Sequence, residues 1–239
     1  MLGDFLEISV HSPDVLESVR FYEKLGFTQI PVNDAWTHPY GVVTDGRSFI
    51  GIHAFEFPGP SLTFVAPDLR RRVETLEAAG ACFEFLKLGD DEFHELGFYA
   101  PDGQMVTLLE ARTFSPPNPA DLHESLAGFF AEYRLPVEDR EAALAQWLRF
   151  GLIESEPVDA LHDTASACCT GLNIGLTESR RLRQPALIFH ARGLGERLHV
   201  MESRGVLAMQ RYEDRNTGVL QAARLEAPEG TPLLLIDLA

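Results

Sequence analysis

The sequence predicts an α+β protein built from two similar modules. A strand with alternating apolar residues leads directly into an amphipathic helix, the two periodicities that mark a strand and a helix. The same strand–helix pattern returns farther along the chain at one fixed spacing, in two separate windows. A pattern that repeats as a whole at a constant spacing indicates an internal duplication.

The first strand–helix unit lies near the start of the chain. The alternating apolar residues of its strand are Leu6, Ile8 and Val10. Asp14 is suited to cap the helix that follows, because its carboxylate can accept the free amides of the first turn. The apolar stripe of this helix consists of Val15, Val19, Tyr22 and Leu25. Gly26 then predicts the end of the helix.

This unit recurs 125 residues later. Asp139 is the counterpart of Asp14 at that offset (139 minus 14), and the neighbouring residues match as well. A second window, residues 60–80, matches residues 185–205 at the same offset without a gap. Because one offset relates two separate windows, we expect the two halves of the chain to have the same topology and to be related by a pseudo-two-fold operation.

The duplication sets the predicted domain boundaries. The first module is assigned to residues 1–113 and the second, more divergent module to residues 128–239. Residues 114–127 join them, and the three prolines among residues 115–119 predict a semi-rigid linker. A chain of 239 residues is long enough for two modules that each bury a core.

Charge and composition limit the partners. The chain is 45% hydrophobic and 23% charged, as is typical of a globular protein. It has 20 basic and 36 acidic residues, and the net charge of −16 repels phosphate backbones and anionic lipids. The sequence shows neither an apolar run of roughly 20 residues nor a basic secretory start. We therefore expect a cytoplasmic protein that binds no nucleic acid and no membrane, with a small organic molecule, cationic or not, as its partner.

Three motifs resemble those of the vicinal oxygen chelate superfamily. They are the helix end Phe21 to Phe27, the strand–helix at residues 60–80, and the turn Pro101-Asp102-Gly103. The superfamily includes glyoxalase I, extradiol dioxygenases, fosfomycin resistance enzymes and bleomycin resistance proteins. The resemblance implies an α+β fold with tandem duplicated βαβββ modules, in which two curled mixed sheets form cups and the helices lie outside. It is weaker in the second module, where Gln146 and Trp147 replace the Phe–Tyr pair.

Enzymes of the superfamily usually hold a divalent metal, and the resemblance assigns its ligand positions. In the order first, second and last ligand, these positions hold Glu7, Ser61 and Thr107 in the first module and Glu132, Ala186 and Leu234 in the second. A catalytic metal needs about three protein ligands, so neither set is complete. The sequence therefore predicts no metal and no other cofactor.

The candidate ligand-binding residues are polar side chains that we expect to face the cups. They are Glu7, Ser9, His11, His53, Ser61, Thr63 and Thr107 in the first module and Glu132, Arg134 and His190 in the second. Arg134 shares a strand face with Glu132 and could neutralise it, so the first module should hold the better site. There, Glu7 would meet a cationic or hydroxyl-bearing part of the ligand, because a carboxylate in a cup is costly without a partner. Glu110 should point away from this face, since strand residues alternate.

Three classes of function are compatible with the sequence. The first is a metal-free binding protein resembling the bleomycin resistance group, which sequesters a small molecule. The second is a metal-dependent lyase, isomerase or dioxygenase with a non-standard shell, built from Glu7 or Glu132 plus His11, His53 or His190. The third is a structural role for the second module as the pseudo-dimer partner of the first. The incomplete ligand sets favour the binding protein, as either a monomer or a homodimer.

Overall fold

The structure of the protein is a computed structural model that describes residues 1–31, 38–57, 59–100, 102–112, 123–158, 163–179 and 182–238. Within these residues the chain forms two eight-stranded mixed sheets and four α-helices. The predicted α+β fold class is therefore confirmed. Among the described residues, no helix is long and apolar enough to cross a membrane.

The first half of the chain forms one of these sheets. Its strands are β1 (Asp4–His11), β2 (Thr28–Ile30), β3 (Tyr40–Thr44), β4 (Phe49–His53), β5 (Ser61–Ala66), β6 (Cys82–Lys87), β7 (Glu95–Tyr99) and β8 (Met105–Glu110). Their order is β2-β3-β4-β1-β5-β8-β7-β6, and β5 runs parallel to β8. Helix α1 (Val15–Lys24) follows β1, while a 3-10 turn (Leu69–Arg71) and helix α2 (Val73–Ala78) follow β5. Each half of the sheet is thus a βαβββ unit.

The second half of the chain repeats this plan. Its strands are β9 (Phe129–Pro136), β10 (Ile153–Ser155), β11 (Thr164–Cys169), β12 (Leu172–Thr177), β13 (Ala186–Ala191), β14 (Gln210–Glu213), β15 (Leu220–Glu226) and β16 (Pro232–Asp237). Their order, β10-β11-β12-β9-β13-β16-β15-β14, is that of the first sheet. Helix α3 (Arg140–Arg149) follows β9, and helix α4 (Leu194–Ser203) follows β13.

The bounds of the elements repeat as the duplication predicts. Strand β9 begins and ends 125 residues after β1 (129 minus 4 and 136 minus 11), and α3 bears the same relation to α1 (140 minus 15 and 149 minus 24). The offset also relates β13 to β5 (186 minus 61 and 191 minus 66). Strand β16 follows β8 by 127 residues (232 minus 105), which locates a two-residue insertion between β13 and β16. The two halves therefore share one topology.

The helix ends follow the signals in the sequence. Asp14 Oδ1 accepts a hydrogen bond from the amide of Glu17 at 3.0 Å, and Asp139 Oδ1 accepts one from Ala142 at 2.9 Å. Gly26 and Gly151 follow the two helices with φ of 92° and 97°, a conformation that favours glycine. The buried stripe of α1 and its end comprises Val19, Tyr22 and Leu25, as the spacing predicts.

The chain divides into two compact units, and each takes elements from both halves of the sequence. The first unit consists of Met1–Ser9, Pro58–Pro116 and Leu135–Gln184, and contains α2 with β5–β8 and α3 with β10–β12. The second consists of Val10–Phe57, Pro117–Arg134 and Pro185–Ala239, and contains α1 with β2–β4 and α4 with β13–β16. Pro101 and residues 113–122, with most of the predicted linker, lie outside the described residues, so the module boundaries stay predictions.

In the first unit, the buried Trp147 of α3 is bonded to the turn before β8. Its indole Nε1 donates to Asp102 Oδ2 at 2.9 Å, while the amide of Gln104 donates to Asp102 Oδ1 at 3.0 Å. Burial raises the pKa of Asp102, and these two donors oppose that rise by favouring the carboxylate. The rings of Trp147 and Phe150 pack edge to face with their centroids 6.0 Å apart. Helix α3 is thereby fixed against an element of the first sequence repeat.

The second unit contains the counterpart of this bond. The hydroxyl of the fully buried Tyr22 donates to Glu229 Oε1 at 2.7 Å. Tyr22 precedes Trp147 by 125 residues (147 minus 22), and Glu229 follows Asp102 by 127 (229 minus 102), the offsets of the surrounding elements. Burial, together with the charge of Glu229, raises the pKa of Tyr22 well above its usual value. Each unit is thus joined by one aromatic donor and one turn carboxylate.

Removing the tyrosine hydroxyl tests this bond. We expect Tyr22→Phe to lower the free energy of unfolding by about 1–3 kcal/mol, because a hydrogen bond to a charged group is lost and the carboxylate is left without its donor. Tyr212→Phe is the matched control, since its hydroxyl bonds Gln210 near the surface; we expect a change within about 0.5 kcal/mol. Urea unfolding measures both. Equal losses for the two variants would contradict the role of the Tyr22–Glu229 bond.

Candidate functional site

In the first unit, a row of polar side chains crosses β1, β5 and β8. The strand register places Glu7 beside Thr63 and Thr63 beside Thr107. In the adjacent row, Ser9 lies beside Ser61. All five belong to the predicted site, and the structure brings them together on one face. We call the four hydroxyl-bearing residues Ser9, Ser61, Thr63 and Thr107 the hydroxyl cluster.

The hydroxyl cluster is hydrogen-bonded to Glu7 and within itself. Ser9 Oγ donates to Glu7 Oε1 at 3.0 Å and lies 2.7 Å from Thr63 Oγ1, so Thr63 donates to Ser9. Ser61 Oγ and Thr107 Oγ1 are 2.9 Å apart. Glu7 is only 4% exposed, and a buried carboxylate is stable only when hydrogen-bonded or paired. Ser9 therefore supports the charge of Glu7, and Thr63 supports Ser9.

Glu110 lies on the opposite face of β8, as the alternation predicted. Its Oε2 accepts a hydrogen bond from the amide of Leu69 and lies 3.0 Å from His94 Nδ1. The hydrogen bond from His94 lowers the pKa of Glu110 and raises that of His94. This carboxylate stabilises the turn before α2 and is not part of the hydroxyl cluster.

The equivalent face of the second half, in the second unit, has a different composition. Glu132 and Arg134 are both buried, and Arg134 Nε donates to Glu132 Oε1 at 2.5 Å. The register places Glu132 beside Ile188 and Ile188 beside Leu234. The polar row of the first half thus becomes one carboxylate followed by two apolar side chains. The predicted neutralisation of Glu132 by Arg134 is confirmed.

His53, another predicted site residue, lies in an aromatic cluster of the second unit. Its ring centroid is 4.4 Å from that of Tyr40, and its Nδ1 lies 3.0 Å from His38 Nε2. Phe57 packs edge to face against it at 5.6 Å. The predicted site omitted His38 and Tyr40. The pairing of β3 with β4 places Tyr40 directly beside His53, so a predicted β3–β4 hairpin could have added Tyr40 to the site.

The two remaining predicted histidines are half-buried. His11 is the last residue of β1, and His190 lies on β13 beside Phe129.

Solved structures provide the comparison with known proteins. No protein-family profile and no curated protein sequence matches this chain. A catechol 2,3-dioxygenase structure is 14% identical with a TM-score of 0.59, covering 100% of this chain and 90% of its own. The Mn(II)-bound glyoxalase from Novosphingobium aromaticivorans is 13% identical with a TM-score of 0.63, covering 98% and 81%. The E323L mutant of homoprotocatechuate 2,3-dioxygenase from Brevibacterium fuscum is 12% identical with a TM-score of 0.63, covering 99% and 72%.

The chain has the vicinal oxygen chelate fold. At identities of 12–14% the likeness concerns the fold alone. In this chain, the fold consists of duplicated βαβββ units whose strands have the same order in both sheets.

In the first half, two of the three positions that the resemblance assigns to metal ligands hold residues that do not suit a divalent metal. Ser61 and Thr107 offer neutral hydroxyls that are bonded to each other, whereas such metals favour carboxylate and imidazole ligands. In the second half Glu132 is paired with Arg134, and its two partner positions have apolar side chains. Among the described residues, no group of three or more His, Cys, Asp or Glu side chains could hold a metal ion.

The His38–His53 contact makes a pH dependence testable. Burial and the neighbouring His53 lower the pKa of His38 below 6.5. The unfolded chain therefore binds more protons than the folded one as the pH falls below 6.5, and stability is lost through that window. We expect the urea midpoint to fall less between about pH 7.5 and about pH 5.5 in His38→Gln than in the wild type. His199→Gln, at an exposed position of α4, is the control; an unchanged pH dependence in His38→Gln would contradict the prediction.

Proposed function

We propose that this chain binds a small organic molecule at Glu7 and the hydroxyl cluster, without a catalytic metal. The observation that carries the proposal is the pairing of the Ser61 and Thr107 hydroxyls at 2.9 Å, at the positions where the superfamily's enzymes usually place metal ligands. Neutral hydroxyls cannot replace the carboxylate and imidazole ligands that such metals favour. They can form hydrogen bonds with a bound molecule.

The chemistry of this face favours a ligand with an ammonium or hydroxyl group. Hydroxyls rotate and can both donate and accept, whereas an ionised carboxylate only accepts. A ligand group that donates to Glu7 would share it with Ser9, which already donates to Oε1. The net charge of −16 would also attract a cation to the protein. A small molecule with a cationic or hydroxyl-bearing part is therefore the proposed ligand class.

The second half supports the choice of the first half as the site. Arg134 already neutralises Glu132, so a ligand cation would have to compete with a buried guanidinium. Ile188 and Leu234 offer no hydrogen bonds at the positions of Thr63 and Thr107. The expectations of a cytoplasmic location and of no nucleic-acid or membrane partner are part of the same proposal.

Thermal-shift screening of small cationic and aromatic compounds tests the site. We expect a compound that stabilises the wild type to bind Glu7→Gln and Thr63→Val about tenfold more weakly, which corresponds to the loss of one hydrogen bond of about 1.4 kcal/mol. Glu17→Gln, an exposed charge change on α1, is the matched control and should bind as the wild type does. If the compounds stabilise the wild type and Glu7→Gln equally, Glu7 is not a ligand-binding residue.

Metal content separates this proposal from the alternative, a metal-dependent enzyme with a non-standard shell. We expect the purified wild type to contain far less than about one metal ion per chain, because its donor set is incomplete. Ser61→His combined with Thr107→Glu should create a site with Glu7 that binds Mn²⁺ or Zn²⁺, measured by elemental analysis after dialysis. A wild type that retains about one metal per chain and loses it slowly to a chelator would favour the enzyme.

A further inference from the structure

The β11–β12 hairpin of the first unit has a buried polar face. Thr164 Oγ1 and Ser166 Oγ are buried on β11, and neither has a hydrogen-bond partner within the described part of the chain. Residues two apart on a strand share one face, with side chains about 6–7 Å apart. Buried hydroxyls without partners are rare in folded proteins, because they lose water and gain nothing in return. Two of them side by side indicate that a partner outside the described residues completes this face.

The composition of this face is uniform. Its six positions, three on each strand, are Thr164, Ser166, Cys168, Asn173, Gly175 and Thr177. All six are uncharged, and Thr164, Ser166, Gly175 and Thr177 are buried. The other face carries apolar residues such as Ala167, Ile174 and Leu176, which are fully buried where α3 packs against the hairpin. The polar face therefore points away from α3.

The corresponding hairpin of the first half carries different side chains on this face. Strands β3 and β4 correspond to β11 and β12, with Tyr40 paired to His53 where Thr164 is paired to Thr177. The rings of Tyr40 and His53 pack against each other on that face, with their centroids 4.4 Å apart and their planes tilted by 36°. In the second half two threonines take the place of the two rings. This exchange removes two large side chains and leaves hydroxyls in their position.

We propose that the β11–β12 face is a second ligand site, one that takes a small uncharged molecule with at least two hydrogen-bonding groups, such as hydroxyl, carbonyl or amide. Thr164 and Ser166 supply hydroxyls that can donate or accept. A charged ligand would be disfavoured, because the face offers it no opposite charge to replace its hydration. This site is independent of Glu7 and the hydroxyl cluster.

Amide chemical shifts of isotopically labelled full-length protein test the site. The probes are benzamide and 1,2-cyclohexanediol, with benzoate as the charged counterpart of benzamide. We expect at least one uncharged probe to shift amides of β11 and β12 at about 1 mM, and benzoate not to do so. No shift in these strands with either uncharged probe, or an equal response to benzoate, overturns the proposal.

Variants of Thr164 and Ser166 show whether their hydroxyls bind the probe. We expect Ser166→Ala and Thr164→Val to weaken probe binding about tenfold while the melting temperature without probe stays level or rises, because an unsatisfied buried group has been removed. Thr28→Val, an exposed hydroxyl deletion on β2, should leave probe binding at β11 and β12 unchanged. If Ser166→Ala instead lowers the melting temperature without probe and leaves probe binding unchanged, bound water satisfies the hydroxyls and the proposal fails.

Discussion

Hydrogen bonds from a helix aromatic side chain to a turn carboxylate hold each compact unit together. Trp147 bonds Asp102 in the first unit, and Tyr22 bonds Glu229 in the second. In both cases donor and acceptor come from different halves of the duplicated sequence. Neither half therefore contains all the partners of its own buried polar groups, and a half expressed alone would leave a carboxylate and an aromatic donor unmatched. The duplication has produced two repeats that depend on each other, although each contributes a complete sheet.

The two halves keep one backbone plan but differ in the chemistry on it. In the first half, hydroxyls lie at the centre of the β1–β5–β8 face, and the paired rings of Tyr40 and His53 lie on β3–β4. In the second half, apolar residues lie at the centre of the β9–β13–β16 face, and hydroxyls lie on β11–β12. The hydroxyl groups thus lie on different, non-equivalent surfaces in the two halves. A fold with two copies of each surface can support two different ligands, because a change in one copy leaves the other intact.

Much of the fold could be predicted from the sequence, since helix caps, alternation and the repeat are local or periodic signals. Alternation also placed Glu7 with Ser9 and turned Glu110 away. Long-range pairings gave no such signal: the hydrogen bond between Ser9 and Thr63 depends on the register between β1 and β5, which are distant in sequence. Asp68 suggests a helix cap from its residue type, yet it has a φ of 53° and makes no side-chain cap bond. Its counterpart is Gly193, with a φ of 66°, so backbone geometry decides that position.

The buried Glu132–Arg134 pair has a consequence for how the second half can change over time. Breaking a buried ion pair by removal of one partner costs about 3–5 kcal/mol. Joint replacement by apolar residues of similar volume is often neutral or even stabilising. Single substitutions at these two positions should therefore be selected against, while the double substitution is tolerated. The pair is an epistatic barrier: drift toward a polar face like that of the first half must cross a destabilised intermediate.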